Sequence, residues 1–264
     1  MDTLPVIGAD LDDDLALALA LADTADALTM RRFRARDLHV DTKPDQTPVT
    51  ESDRAVETAL RDRLAADRPG DAVVGEEYGA SGAGRRRWII DPIDGTKSFV
   101  RGVPAWATLL GLEIDGDVVV GVASAPALGR RWWARRGGGA FANGEPIRVS
   151  DVARLEDAHV CAPSVRAFDT AGLDAGFRAL IARCWHVGGF PDFWGHVLVA
   201  EGAADVMLEP VVNLWDVAAL QPIVAEAGGR LTDFRGDAWA NDAPCLTTNG
   251  RVHADAVAVL EGAA

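Results

Sequence analysis

A chain of 264 residues, 48% hydrophobic and 25% charged, has the make-up of a globular protein with a sizeable core, in one large domain or two closely joined ones. Its net charge of −14 argues against wrapping nucleic acid or lying on an anionic membrane, and it means that an anionic ligand needs local cations. The cysteines Cys161, Cys184 and Cys245 are odd in number, widely spaced and without a CxxC pair, so neither a disulfide framework nor a zinc site is suggested.

The opening residues do not read as a secretory leader, because Asp10, Asp12, Asp13 and Asp14 interrupt any apolar run, and no run approaches membrane-spanning length. The expected compartment is the cytoplasm. Residues 8–29 read as a helix with Leu11, Leu15, Ala18, Leu19 and Ala22 on one face and Asp12 to Asp14 as its solvated start. His39 to Gln46 form a polar loop, and Ser52 or Asp53 can cap a helix running to about Ala66. Val73-Val74 is a short strand that runs into Gly75-Glu76-Glu77, and Gly79 to Arg87 is a solvated connector. Trp88 to Ile90 is a buried strand, broken by the turn signals Asp91-Pro92 and Asp94-Gly95. Lys97 and Ser98 open a short helix. Trp106 to Ile114 and Val118 to Ala123 alternate as paired strands around Asp115-Gly116-Asp117, and Arg130 to Ala134 pairs with Gly139 to Phe141. Phe99, Val103, Trp106, Trp132 and Trp133 are either core or an apolar face for a second copy.

Near residue 145 the pattern changes. Residues 1–145 form an N-terminal α+β half with most of the acidic candidates, and residues 146–264 a C-terminal α/β half with Asp216. In that second half the strands Ala158 to Ala162, Val206 to Leu208 and Cys245 to Thr248 alternate with helices over about 170–183, 192–202, 216–227 and 252–261.

Asp91 and Asp94 can converge across their turn, and two convergent carboxylates repel unless a cation sits between them. Alone, the motif equally fits a surface turn rich in Asp, Pro and Gly. Further acidic sites lie at Asp53, at Glu76-Glu77 and at Asp216, each beside a strand or helix end. Asp53 and Asp216 also fit helix caps. Separated carboxylates brought together by a fold suit a multi-ion centre, and hard Mg²⁺ suits carboxylates, a backbone carbonyl and water. Gly95 and Thr96 lead into a helix start whose backbone N–H groups can cradle a phosphate.

The set Gly75-Glu76-Glu77, Asp91-Pro92-Ile93-Asp94-Gly95-Thr96 and Trp215-Asp216-Val217-Ala218-Ala219 resembles the inositol monophosphatase family of Mg²⁺-dependent phosphomonoesterases, with matching order and spacing from about residue 10 to residue 260. The resemblance implies a five-layer αβαβα sandwich with two to three Mg²⁺ ions between its halves, and a homodimer. It assigns Glu76, Asp91 and the Ile93 carbonyl to one ion, Asp91, Asp94 and Asp216 to a second, and Glu76 with waters to a third. Glu77 competes with Glu76. Thr96 and Asp53 match the pair that orients and activates the attacking water, with direct in-line attack on phosphorus. Lys43 is either a catalytic-loop cation or a surface charge. No covalent nucleophile is required, so Ser164 and Cys184 have no such role, and no GxxxxGK[ST] loop is present.

Phe99 to Thr108, Asp192-Phe193-Trp194 and Val199 to Asp205 resemble the bacterial histidinol-phosphate phosphatase branch. On that footing the expected reaction, a step of histidine biosynthesis, hydrolyses histidinol phosphate to histidinol. Glu209 falls at the family's substrate-contacting glutamate. It can pair with an ammonium or accept from hydroxyls, or it is a loop carboxylate beside Pro210. Arg183, His186 and Asp192 lie in the segment that reaches the substrate pocket in relatives, although His186 also fits a structural or surface histidine. That segment departs from the branch: two arginines, a tyrosine and a glycine are expected where His186, Gly188, Phe190 and Pro191 stand. Inositol 1-phosphate, or a nucleoside or aminonucleoside monophosphate, are therefore alternative substrates. A catalytically silent metal- or phosphate-binding module is the alternative of another class, opposed by the full set of carboxylates and Thr96.

Overall fold

The first helix, α1 (Ile7–Arg32), buries Leu11, Ala18, Leu21, Ala22 and Ala25 along one stripe, as a 3.6-residue period requires. The structure, a computed structural model, describes residues 7–43 and 47–262, so residues 44–46 of the expected polar loop lie outside the described residues. The rest of that loop is not irregular: β1 (Val40–Thr42) pairs antiparallel with β2 (Pro48–Thr50). Asp14 is not solvated either. It is buried, 2.6 Å from Arg86 Nη2, because α1 begins a turn before the acidic run and packs that position against the sheet.

Helix α2 (Glu51–Asp67) is capped by Thr50, rather than by Ser52 or Asp53. Thr50 Oγ1 accepts from the Ser52 and Asp53 amides, and Asp53 Oδ2 accepts from the Thr50 amide at 2.8 Å. This reciprocal capping box fixes the Asp53 side chain at the helix start. Then follow β3 (Ala72–Gly75), β4 (Gly79–Ser81), β5 (Arg86–Asp94), α3 (Thr96–Val100), β6 (Ala107–Ile114), β7 (Asp117–Ala125), β8 (Arg130–Arg135), β9 (Ala140–Ala142) and β10 (Glu145–Pro146). The connector expected over Gly79 to Arg87 thus contains a strand, because β4 pairs with the exposed edge of β3. The eight-stranded sheet has the order β10-β9-β8-β7-β6-β5-β3-β4 and is antiparallel except where β3 meets β5.

The chain continues through β11 (His159–Cys161), α4 (Val165–Ala171), α5 (Asp174–Ile181), β12 (His186–Gly188), α6 (Phe193–Ala200), β13 (Val206–Glu209), α7 (Leu214–Val217), α8 (Leu220–Glu226), β14 (Arg230–Thr232), β15 (Cys245–Thr248) and α9 (His253–Gly262). A second sheet has the order β12-β11-β13-β15-β14. The helix expected over 170–183 is two helices, since Gly172 at φ 71° ends α4. The one expected over 216–227 divides into α7 and α8. Strands β12 and β14 were not signalled, being short pieces at the two edges of the sheet.

Five layers result. Val56, Leu60 and Leu64 of α2 join α1 against Trp88, Ile90 and Leu110 of the large sheet. The sheet's other face meets Val197 of α6 and Ile223 and Val224 of α8 through Leu109 and Trp132. Val199 of α6 also packs on Cys161 and Met207 of the second sheet, so this middle helical layer is shared. Phe168, Phe177 and Leu260 cover the outer face on Val160, Val206 and Leu246. Phe99, Trp106 and Trp132 are core residues, Trp133 is half-buried against Phe141, and Val103 is exposed.

Gly121 on β7 decides how closely the middle layer approaches. A Cβ there would stand 2.0 Å from the Ala219 carbonyl oxygen at the α7–α8 junction. Gly121→Ala is expected to destabilise the protein by about 3 kcal/mol, the range of an overpacked core. An unchanged urea midpoint would count against this account of the close approach.

Candidate active site

Residues three apart on a regular strand point to opposite faces. Asp91 and Asp94 escape that rule because β5 does not stop at Ile90 but runs on through an irregularity. Asp91 faces Leu109 and Asp94 faces Ala107, so three steps on β5 match two on β6. The extra residue is a β-bulge, which re-aims the side chain. Ile93 N–H donates to Asp91 Oδ1 at 3.0 Å and holds the turn. Asp216 arrives on α7, where it forms a capping box with Asn213 and accepts its amide at 2.7 Å. The close packing at Gly121 brings α7 down on the sheet. Carboxylate oxygens of Asp91, Asp94 and Asp216 then all lie within 4.8 Å of one another.

This cluster is electrostatically unfavourable by itself. Burial, then the charges of Glu76, Asp94 and Asp216, hold the Asp91 carboxyl well above the usual carboxylate range. Burial, then Asp192 and Asp216, do the same to Asp94. Burial pushes Asp216 up to about 7 against the opposing pull of the Asn213 amide. The charges that act most strongly on Asp91 and Asp94 are negative. A set of hard oxygen donors under mutual repulsion fits a divalent cation of the Mg²⁺ type.

Beside the triad, Thr96 Oγ1 lies 2.9 Å from the Ile93 carbonyl and 3.4 Å from Asp53 Oδ1. Asp53 is fully buried, and burial pushes its carboxyl up to about 7. The capping box therefore serves two purposes: one oxygen of Asp53 closes the helix start, and the other faces Thr96. Lys43 Nζ lies 2.7 Å from both Glu76 Oε1 and Glu77 Oε1. Burial opposes its charge, but the two glutamates outweigh it and hold the ammonium above the ordinary lysine range. Glu76 lines the cleft, whereas Glu77 is buried beside Lys43.

Sequence reasoning passed over the residue that holds this acidic turn. Glu57 on α2 is fully buried; its Oε2 accepts from the Glu77 amide at 2.7 Å, and its Oε1 accepts from the Tyr78 amide at 3.2 Å and from Arg61 Nε at 2.8 Å. Gly75 makes room, since a Cβ there would meet Glu57 Oε1 at 2.0 Å. A helical glutamate four before an arginine reads as a solvated pair, so nothing local marks its burial.

The triad floors a cleft of about 350 Å³. Glu76, Ile93, Gly95, Thr96, Lys97, Asp192, Glu209 and Asn213 are among its walls. Gly95 has φ 79°, and a Cβ there would press on the Ala105 carbonyl at 2.9 Å. Asp192 has φ 57° and ψ −153°, a region nearly reserved for glycine. Burial and the neighbouring Glu209 push its carboxyl up to about 7. Glu209 is not a loop residue but the end of β13, buried except for its face on the cleft.

Arg183 and His186 are not brought to this cleft. Arg183 is exposed and reaches Glu156 at 3.4 Å, and His186 lies on the edge strand β12 against His159. Within one copy Asp192 alone of these three lines the cleft. Cys184 donates to the Leu180 carbonyl, and burial pushes its thiol up to about 11.

The model of the Inositol monophosphatase family matches residues 10–263. A histidinol-phosphatase of Mycobacterium tuberculosis is 53% identical over 91% of this chain and 95% of its own. One from Streptomyces coelicolor is 47% identical over 95% and 98%. In structure, a Thermotoga maritima IMPase superposes with a TM-score of 0.85 at 33% identity, covering 95% of this chain and 98% of its own. The layered α/β architecture is thus that of a known enzyme fold, and the chain belongs to the inositol monophosphatase family as a phosphomonoesterase.

Proposed function

We propose that this enzyme hydrolyses an amine-bearing phosphate monoester, histidinol phosphate, to histidinol and inorganic phosphate. The observation that carries the reading is a second acidic pair in the cleft. Gly95, Thr96 and Lys97 line the cleft beside the triad, where a phosphate can bind; Asp192 and Glu209, close enough for their charges to act on one another, line it too and suit an ammonium on the leaving group. The relatives named histidinol-phosphatases support it. Mg²⁺ as the ion, the cytoplasm as compartment and a homodimer as the working form belong to the same reading, on the strength of the family resemblance.

In this reading Glu76, Asp91, Asp94, Asp216 and the Ile93 carbonyl hold the cations. When bound, they supply Lewis acidity and lower the pKa of water. The Thr96 hydroxyl orients a water in line with the ester bond, and Asp53, poised near neutrality, accepts its proton. The new P–O bond forms as the ester P–O bond breaks, and the leaving alkoxide takes up a proton to become the alcohol. No covalent intermediate forms, in keeping with thiols that burial keeps protonated at Cys161, Cys184 and Cys245.

The test is phosphate release with Mg²⁺ across histidinol phosphate, inositol 1-phosphate, fructose 1,6-bisphosphate, adenosine 3′,5′-bisphosphate and adenosine monophosphate. The expected kcat/KM for histidinol phosphate exceeds the others by about 100-fold or more, as a site built for a polar group discriminates. Preference for another ester would overturn the substrate, and metal binding without turnover on any ester would revive the silent module.

A further inference from the structure

His196 lies in the middle of α6, a helix otherwise made of Phe, Trp, Gly, Val, Leu and Ala, and it is fully buried. A polar ring in such a place needs partners for both nitrogens. It has them. Nδ1 lies 2.8 Å from Thr247 Oγ1 on β15, and Nε2 lies 3.0 Å from Glu209 Oε2 at the end of β13. An ionised carboxylate can only accept, so Nε2 carries a proton, while the threonine hydroxyl serves the other nitrogen in either role.

The packing that makes this contact is close. A Cβ on Gly195 would meet Met207 Sδ at 2.2 Å, so the glycine beside His196 lets α6 settle onto β13. The first turn of the same helix also serves the cleft. Asp192 forms its N-cap and lines the cleft, and the Phe193 amide donates to Asp94 Oδ2 at 2.7 Å. One short helix therefore fixes Asp192, a metal-side aspartate and, through His196, Glu209.

Without the imidazole, Glu209 would still feel the negative charges of Asp192 and Asp216, and no other side-chain hydrogen bond among the described residues would set its rotation. Like charges would turn it away from the direction in which a ligand must meet it. With Oε2 committed to His196, Oε1 is the oxygen left for a ligand. We infer that His196 is a positioning residue for specificity: it holds Glu209 in the orientation that recognises an ammonium-bearing leaving group, and touches neither phosphate nor substrate itself. The inference rests on the reading of Glu209 and Asp192 as the leaving-group wall.

The experiment compares histidinol phosphate with β-glycerophosphate, an ester without a cation, in the Mg²⁺-loaded wild type, His196→Leu, Thr247→Val, Glu209→Gln and the His196→Leu/Glu209→Gln double variant. His196→Leu is expected to raise KM for histidinol phosphate by about 10–100-fold, the usual effect of losing such a supporting partner, with kcat within about threefold. KM for β-glycerophosphate stays unchanged. The double variant is no worse than Glu209→Gln alone, because the two residues act as one unit. Thr247→Val, which loosens the imidazole without touching Glu209, shows the same selective rise in smaller measure; it carries the test if His196→Leu does not fold.

Equal losses on both esters, or additive losses in the double variant, overturn the inference and leave His196 a packing residue. A large selective loss in Glu209→Gln with none in His196→Leu overturns it while sparing the reading of the wall. If Glu209→Gln has no selective effect, the reading of the wall fails first and the positioning role with it.

Discussion

Replacing Asp94 by asparagine is expected to lower kcat/KM by about 10³-fold while making the metal-stripped protein more stable. The two effects have one cause. Asp94 is a buried carboxylate whose neighbours Asp192, Asp216 and Glu209 are all negative, so in the absence of a cation its ionised form opposes folding. Asparagine keeps the acceptor for the Phe193 amide and removes the charge. Each kcal/mol of repulsion relieved should raise the melting temperature of the stripped protein by about 2–4 °C. The cations then bind with one ligand fewer, and forfeiting several kcal/mol of charge stabilisation in the transition state corresponds to a rate loss of about 10³-fold. Calorimetric melting with and without Mg²⁺, together with phosphate release, reads both sides. A variant that melts earlier without metal, or keeps activity within tenfold, would show that the triad is not a cation site.

Glu57→Ala is expected to cost about 3–5 kcal/mol of stability, the range for breaking a buried ion pair from one side. Arg61 would lose its buried partner, and the Glu77 and Tyr78 amides would lose their acceptor. The same variant should weaken Mg²⁺ binding, because the turn that presents Glu76 would no longer be tied to α2. Glu57→Gln keeps an acceptor for one amide and should lose roughly half as much, since a neutral hydrogen bond is about half as strong as a charge-assisted one. Urea unfolding gives the first quantity and a calorimetric Mg²⁺ titration the second. Full stability in Glu57→Ala would mean that the turn holds itself, through Lys43 and the strand pairing of β3 with β4.

The residues around Asp91 show what can be read along a chain. An apolar run followed by Asp-Pro-Ile-Asp-Gly-Thr declares a strand, a break in its regularity and a glycine turn, and all three are local chemistry. The sequence still suggested that the strand stops at Ile90. In fact β5 continues to Asp94, and the bulge that aligns the two aspartates is set by pairing with β6. Asp53 was legible as a helix-start residue, but the cap itself is Thr50, and the second oxygen of Asp53 gains a role only because β5 delivers Thr96 to it. Arg183 and His186 carried plausible substrate chemistry, yet the edge position of β12 keeps both out of the cleft of their own copy.

Taken by itself, the sequence determined the family and, through that resemblance, the layered class, and it marked the acidic residues that the fold gathers, because motif spacing, capping and apolar periodicity are properties of short segments. The tertiary structure decided which polar side chains are buried and against what. Glu57 and His196 look like a solvated helix charge and a stray ring in an apolar helix. Their roles arise from contacts with residues 20 and 13 positions away, Glu77 and Glu209, which no local pattern specifies. The joining of Asp216 to Asp91 likewise depends on a helix settling onto Gly121. Burial depends on long-range packing, and it is burial that turns a carboxylate from a surface charge into a metal ligand, a proton acceptor or an anchor.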